Sequence, residues 1–470
     1  MTPALTPWPL RTLLGRIALE WDTRHRILDL PSGKFFRPEA GIDLGSAVGG
    51  RAVATPLGPA AGPHTQMAQN LVLGWLAGAR VFELKTVQVR DDLEIPRPCI
   101  DVAGVGYNVE WSQELRIAQS LDEYVKAWMA LHLLATWSPL QTELGDPGPC
   151  LFDMSVGYDL AGIRSSEMAG FIAGLLDASA TIERLRAEIR APFDADTEIP
   201  SRVVGGVTLS TFHGCPPDEI EAIARHLMTE YQLDVVVKLN PTLLGIETVR
   251  NILRRLGHDE VTLTPEAFEA DLQYDRALEM IGSLRRFAAD AGRTVGIKLT
   301  NTLVVANHLR RLPGDVMYLS GPPLHVMAVT LLDRLVGDLD GVLGIGPEPG
   351  PVPVSFSAGI DRSNATSVVG LGLTPVTMCT VLLGPGGYGN LSGMLHHLGK
   401  DMGDAGVSTV PDLVRSRHEA ALKEGRRDAV AAYAAELADV AGVERFGKVA
   451  TTPRLRQVDR RLGAWDCVSC

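Results

Sequence analysis

Three lysines close apolar runs in this chain: Lys85 in ELKTV, Lys238 in DVVVKLNPT and Lys298 in GIKLTNT. The run before Lys238 reads as a strand buried on both faces. A lysine ending such a strand needs a partner or a ligand. It can be the electrostatic partner of an anionic ring or, with a lowered pKa, a Schiff-base nucleophile. A structural ion pair is the plain alternative, as a solvated rim position is for Lys85. Beside Lys298, the amide of Asn301 and the hydroxyl of Thr302 can meet a heterocycle's carbonyls and ring nitrogens.

Between these lysines, TLSTFHGCPP gathers Thr211, His213 and Cys215 at the end of another apolar run. The H-x-C spacing has no second cluster to complete a zinc site, and HExxH is absent, so no metal is expected. TPLGPAAGPHT places Ala60, Ala61 and Gly62 after a strand, where small side chains let backbone amides approach a flat or phosphorylated ligand. Gly359, Thr377 to Thr380 and LLGPGGYG occupy two later strand ends, a common position for phosphate binding through backbone amides. Cys467 and Cys470 open like an iron–sulfur run, but such a run needs four cysteines.

The elements that must position these groups are short β-rich runs alternating with helical patterns. Strands are predicted near Ala54–Ala60, Val81–Thr86, Leu151–Ser155, Val203–Ser210, Asp234–Lys238, Thr294–Leu299, Val354–Ser357 and Val376–Thr380. Helices are predicted at Leu10–Trp21, Leu121–Leu134, Glu167–Ile189, Pro217–Tyr231, Tyr274–Ala291 and Leu324–Val336. Eight strands alternating with helices predict an α/β fold, a (β/α)8 TIM barrel whose strand C-termini carry the chemistry. The long gap after Thr86 predicts an inserted excursion around Arg97–Trp111. The expected organisation is an N-terminal extension (1–45), a barrel (46–400) and a helical extension with a polar tail ending in CxxC (401–470).

Composition limits the function classes. The chain has 470 residues, 46% apolar and 21% charged, enough for a large core. Its 44 basic and 56 acidic residues give −12, with no long basic run, so nucleic acid is not expected as a partner. No stretch approaches the roughly 20 consecutive apolar residues of a bilayer span, and the first residues lack a secretory pattern. A cytoplasmic protein with reduced, scattered cysteines and no membrane partner is expected.

Several long strings resemble a known family: TPLGPAAGPHTQMAQN, FELKTVQ, PCID, NVEWS, FDMSVGYDLAGI, STFHGCPPDEIE, VVVKLNPTLLG and SAGI. They resemble the flavin barrel of dihydroorotate and dihydropyrimidine dehydrogenases. The closer likeness is to the N-terminal part of the YgfK-type oxidoreductases, a family labelled selenate reductases. The resemblance implies FMN at the barrel mouth. Ala60, Ala61 and Gly62 would lie along the isoalloxazine, Lys85 and Thr86 beside its pyrimidine side, and Lys238 beside N1/O2. Gly321, Gly359, Cys379 and Thr380 would cradle the phosphate. Asp159, Asn301 and Thr302 would face a planar pyrimidine- or purine-like substrate whose C–C or C–N double bond is reduced or oxidised. An iron–sulfur or FAD redox partner, separate or fused, is implied as well.

Two departures stand out. Thr211 occupies the position of the dehydrogenases' acid/base Cys or Ser, and a threonine is a poorer proton donor than a thiol. Cys215, four residues on, could replace it. Asp159 stands where an amide is usual. The sequence also admits a Schiff-base lyase of aldolase type using Lys238, or a non-catalytic scaffold or electron-relay subunit.

Overall fold

The computed structural model describes residues 5–91, 95–102, 105–109, 112–210, 215–308, 310 and 312–448. Eight parallel strands follow one another in chain order: β1 (Leu57–Pro59), β2 (Val81–Glu83), β3 (Leu151–Val156), β4 (Val204–Leu209), β5 (Asp234–Leu239), β6 (Val295–Leu299), β7 (Val352–Phe356) and β8 (Val376–Met378). Each pairs with its neighbour from β2 round through β8 to β1. At the remaining seam the Arg80 N–H donates to Leu57 O at 3.2 Å. A Cβ on Gly58 would lie 1.6 Å from Val81 O, so the chains meet there only because residue 58 is glycine. The ring is a nearly closed TIM barrel, as the eight alternating runs predict.

Valine is the commonest residue in these strands because both faces are covered, outside by helices and inside by a packed core. The N-terminal end of the barrel is plugged from outside the ring. Arg51, on the hairpin of Ser46–Val48 and Arg51–Val53, donates twice to Asp153 at 2.8 and 2.9 Å. A Cβ at Gly205 or Gly206 would fall 2.5 or 2.9 Å from that guanidinium, which explains the glycine pair in VVGGVTL. With that end of the barrel filled by an ion pair, the barrel interior of the described residues opens at the strand C-termini.

The helix Pro217–Glu230 starts on its two prolines and carries Asp218 and Glu219 in its first turn, as predicted. The predicted helix Glu167–Ile189 is instead two, Ser166–Leu176 and Ser179–Arg186. The Asp177 carboxylate breaks it by accepting from the Ser179 N–H and hydroxyl, offering the backbone an alternative to the helical ladder. The excursion after β2 is real: Ile100–Asp101 and Gly106–Asn108 form an antiparallel pair. That pair joins Val316–Ser320 and Leu303–Ala306, two strands of the β6–β7 connection that the sequence reading left unassigned. The four-stranded sheet overhangs one side of the barrel mouth.

Beyond the barrel, Val410–Lys423, Ala429–Ala438 and Val440–Phe446 are helical. The second of these packs on Pro322–Asp338, the helix between β6 and β7. Among the described residues no helix is long and apolar enough to cross a membrane.

Candidate active site

A cavity of about 480 Å³ opens at the C-terminal ends of the strands, within the size range of small-molecule and cofactor sites. Twelve of the sequence-predicted site residues line it: Ala60, Ala61, Gly62, Lys85, Thr86, Lys238, Asn301, Thr302, Gly321, Gly359, Cys379 and Thr380. Eleven of them come from six barrel-strand ends or the loops just past them, and Gly321 follows the mouth-sheet strand Val316–Ser320.

The floor is an ionic cluster. Lys298 is 1% exposed, and its ammonium pairs with the Glu83 carboxylate. Lys298 also donates to the Thr377 hydroxyl at 3.0 Å, and that hydroxyl donates to Glu83 at 3.3 Å. The other Glu83 oxygen accepts the Ala61 N–H at 3.3 Å, tying the small-residue wall to the floor. Burial pulls the Lys298 ammonium below its ordinary range, while Glu83 opposes that shift.

Lys238 sits beside this cluster in cross-strand register with Lys298. Among the described residues nothing accepts a hydrogen bond from its ammonium. Burial, then the charge of Lys298, lowers its pKa to about 8, with Glu83 pulling the other way. Taken together, the lining holds four cationic side chains (Lys85, Arg90, Lys238 and Lys298) against one carboxylate, Glu83. In a chain of net charge −12 this is a local inversion, and it selects for an anionic occupant.

The remaining walls differ in character. Thr86 and Ser155 hydroxyls bond at 2.8 Å, and the Tyr124 hydroxyl donates to Lys85 O at 2.9 Å, fixing the end of β2. His64 Nδ1 lies 3.6 Å from the Cys379 thiol. Burial and Lys85 lower His64 to about 3, and burial raises Cys379 to about 11, so both are neutral near pH 7. The pair is therefore no thiolate–imidazolium nucleophile. A Cβ at Gly62 would lie 2.7 Å from both side chains, so the close approach needs glycine. At the other end Tyr107, Tyr158 and Tyr318 line the cavity, with the Arg90 guanidinium 5.0 Å above the Tyr158 ring. Tyr158 has φ +91°, a strained conformation of the kind found at functional sites.

Gly321 and Gly359 face each other with φ +80° and +54°. A Cβ at Gly359 would stand 2.4 Å from Gly321 O, so two bare backbones form this part of the wall. Gly321 precedes the helix Pro322–Asp338, whose first two residues are prolines without N–H groups and whose Leu324 N–H donates to Gly321 O at 3.1 Å.

Two predicted positions, Asp159 and Cys215, fall elsewhere. The Asp159 carboxylate accepts the Gly162 N–H at 2.7 Å, capping the short helix Leu160–Ile163, and it does not line the cavity. Its neighbour Tyr158 does. Cys215 is 3% exposed and outside the lining; burial, Glu219 and Asp159 push its thiol up to about 12. A thiol so held neither ionises nor yields its proton readily near neutrality. Thr211 lies outside the described residues, as do His213, Cys467 and Cys470. Glu83, His64, Arg90 and the three tyrosines escaped the sequence reading. Only Glu83 carried a usable signal: an acid two residues before Lys85, so on the same face of an otherwise apolar strand.

The family assignment agrees with this geometry. Residues 28–428 match the family model of the oxidoreductase YgfK N-terminal TIM-barrel domain. The chain belongs to that family. Over 421 residues it is 41% identical to the YgfK oxidoreductases of Escherichia coli K12 and O157:H7, covering 85% of this chain. It spans 39% of those relatives' length. Among solved structures, a dihydroorotate dehydrogenase of Eimeria tenella in complex with ferulenol overlays with a TM-score of 0.50. That likeness covers 88% of this chain and 96% of the other at 15% identity, and it concerns the fold alone. This is an oxidoreductase-family barrel with a dihydroorotate-dehydrogenase-like fold.

Proposed function

We propose that the chain is an FMN-dependent oxidoreductase acting on a C–C or C–N double bond of a planar pyrimidine- or purine-like heterocycle. The observation that carries this reading is Lys238: an ammonium without a partner among the described residues, aimed into a cavity with surplus positive charge. A flavin that becomes anionic when reduced, attached to a phosphate, suits that donor set better than a neutral ligand does. When bound, FMN would supply hydride transfer through its N5.

In this reading the chain's residues divide the work. Ala60, Ala61 and Gly62 give the ring a flat wall, and Lys85 and Thr86 border its polar edge. Lys238 places a positive charge where negative charge develops, an electrostatic contribution worth more in a partly desolvated cavity than in water. Gly321, Gly359, Cys379 and Thr380 offer backbone and hydroxyl donors to the phosphate. Asn301 and Thr302 bind the substrate's polar edge, and Tyr107, Tyr158 and Tyr318 supply apolar faces for a planar ring. With Cys215 held outside the cavity, Thr211 is the residue proposed to move the substrate proton. Electrons would come from an iron–sulfur or FAD-containing partner or fused module.

The test is an anaerobic absorbance titration of the purified chain with FMN, followed by pyrimidines and purines scored for flavin oxidation or reduction. A perturbed flavin spectrum and turnover of one such ring are expected; no flavin binding would sink the proposal. One feature favours a second reading. A lysine near pKa 8 also suits a Schiff-base lyase. Borohydride trapping of a carbonyl substrate on Lys238, in a chain that binds no flavin, would select it.

A further inference from the structure

His325 is fully buried one turn into the helix that begins after Gly321. Its Nδ1 lies 2.9 Å from Ala358 O and its Nε2 lies 2.8 Å from the Tyr433 hydroxyl. A carbonyl oxygen can only accept, so Nδ1 carries the proton, Nε2 accepts, and the Tyr433 hydroxyl donates. Burial lowers His325 to about 4, which keeps the ring in this single neutral form near pH 7. The chain of bonds runs from Tyr433, through His325, to the carbonyl immediately before Gly359.

The same loop is held at two further points. Asn364 Nδ2 donates to Gly359 O at 2.8 Å, and its Oδ1 accepts the Asp361 N–H at 2.9 Å. Arg445 Nε donates to the Ser363 hydroxyl at 3.2 Å, while Phe446 stacks on His325 at 4.9 Å between ring centres. Tyr433, Arg445 and Phe446 all lie beyond residues 28–428, the span matched by the family model. Helices outside that common barrel therefore reach a loop of the cavity wall.

We infer that Tyr433 and His325 are positioning residues for the Gly321–Gly359 wall, so that the C-terminal helices 429–446 set how tightly the phosphate end of the cavity grips its ligand. This rests on the FMN reading above. Neither side chain lines the cavity; both act through the Ala358 carbonyl. Gly359 packs directly on Gly321, whose O stands 2.4 Å from where a Gly359 Cβ would be, so the position of this backbone sets the shape of the wall. Losing the hold on Ala358 should therefore loosen the phosphate end and leave the ring end unchanged.

The experiment compares dissociation constants of FMN and riboflavin for the full chain, read by flavin fluorescence, because riboflavin lacks the phosphate. Tyr433→Phe removes one hydroxyl and almost no volume. It should weaken FMN about three- to tenfold, the worth of one buried hydrogen bond, and leave riboflavin within about twofold. His325→Asn, which keeps a short donor, should retain more of the preference for FMN than His325→Leu does. Equal weakening of both flavins, or of neither, overturns the inference while the FMN reading stands. Failure of the wild-type chain to bind either flavin overturns both.

Discussion

Lys238 and Lys298 are the same residue type on adjacent parallel strands, opposite each other in register, and they have opposite fates. Lys298 is satisfied by protein: Glu83 and Thr377 accept hydrogen bonds from its ammonium, and it is 1% exposed. Lys238 has no acceptor among the described residues, keeps some exposure, and is pulled down to about 8 by burial and by its neighbour's charge. The strand-end pattern VVVK and VGIK is alike in both. What separates them is the single carboxylate at Glu83, which can neutralise one ammonium and is 215 residues from the one it chooses. A strand-end lysine marks a ligand site only when the fold declines to pair it.

The largest expected effect breaks the satisfied half. Lys298→Met leaves Glu83 buried at 4% exposure with only the Ala61 N–H and the Thr377 hydroxyl. Removing one partner of a buried ion pair typically costs about 3–5 kcal/mol. Urea unfolding should show that loss for Lys298→Met and a comparable one for Glu83→Gln. The double variant should be more stable than either single one, because no uncompensated charge remains. Single losses under about 1 kcal/mol would mean that the floor is not a buried ion pair.

The mirror experiment touches the unsatisfied half. Lys238→Met should leave the ligand-free chain as stable as the wild type or slightly more so, since an ammonium held near pKa 8 is disfavoured in the folded state. Flavin reduction, followed by stopped-flow absorbance, should fall about 100-fold, the usual order for losing one donor aimed at developing charge. Stability and activity would then move in opposite senses at this position, and in the same sense at Lys298. A Lys238→Met protein that unfolds like Lys298→Met would erase the contrast.

Much of this barrel was legible because it is written in local signals. Apolar, mostly valine-bearing runs alternating with helix-length segments located all eight strands, and the residues at their ends, together with the family resemblance, named twelve positions that line one mouth. What stayed hidden depends on distant pairing. Nothing near Lys298 announces Glu83, and nothing near Lys238 announces the lack of a partner. Cys215 and Asp159 misled for a related reason. Their residue types suit proton transfer and substrate binding, yet one is packed away from the cavity beside Glu219 and the other is spent on a helix cap. The mouth sheet was missed because its strands are only two to five residues long and pair across about 200 residues of chain.

A pH series, with Lys238→Met as its control, reads the protonation of the unpaired lysine. Lys238 has its folded pKa lowered from 10.5 to about 8, so the unfolded chain binds the extra proton between those values. The stability of the ligand-free protein should therefore gain a contribution as pH rises from about 8 toward 10.5. An anion beside Lys238 favours the ammonium and raises that pKa. FMN affinity should then be flat on this account just below pH 8 and fall above it, by at most tenfold per unit. Lys238→Met should flatten this alkaline fall. A slope that survives in that variant would assign the proton elsewhere.

The smallest effect asks how completely Lys298 is satisfied. Thr377→Val removes a hydroxyl 3.0 Å from its ammonium and changes the side-chain shape little. If Glu83 carries most of the compensation, the change costs only the net worth of one hydrogen bond, about 1 kcal/mol, in urea unfolding. Thr377 lines the cavity, so the same variant also reports on the ligand side. With Lys298 still paired to Glu83, FMN affinity should stay within about threefold of wild type. A stability loss approaching that of Lys298→Met would mean that the hydroxyl, and not the carboxylate alone, decides which lysine the fold keeps for itself. The choice between the two lysines would then belong to β8 as much as to β2.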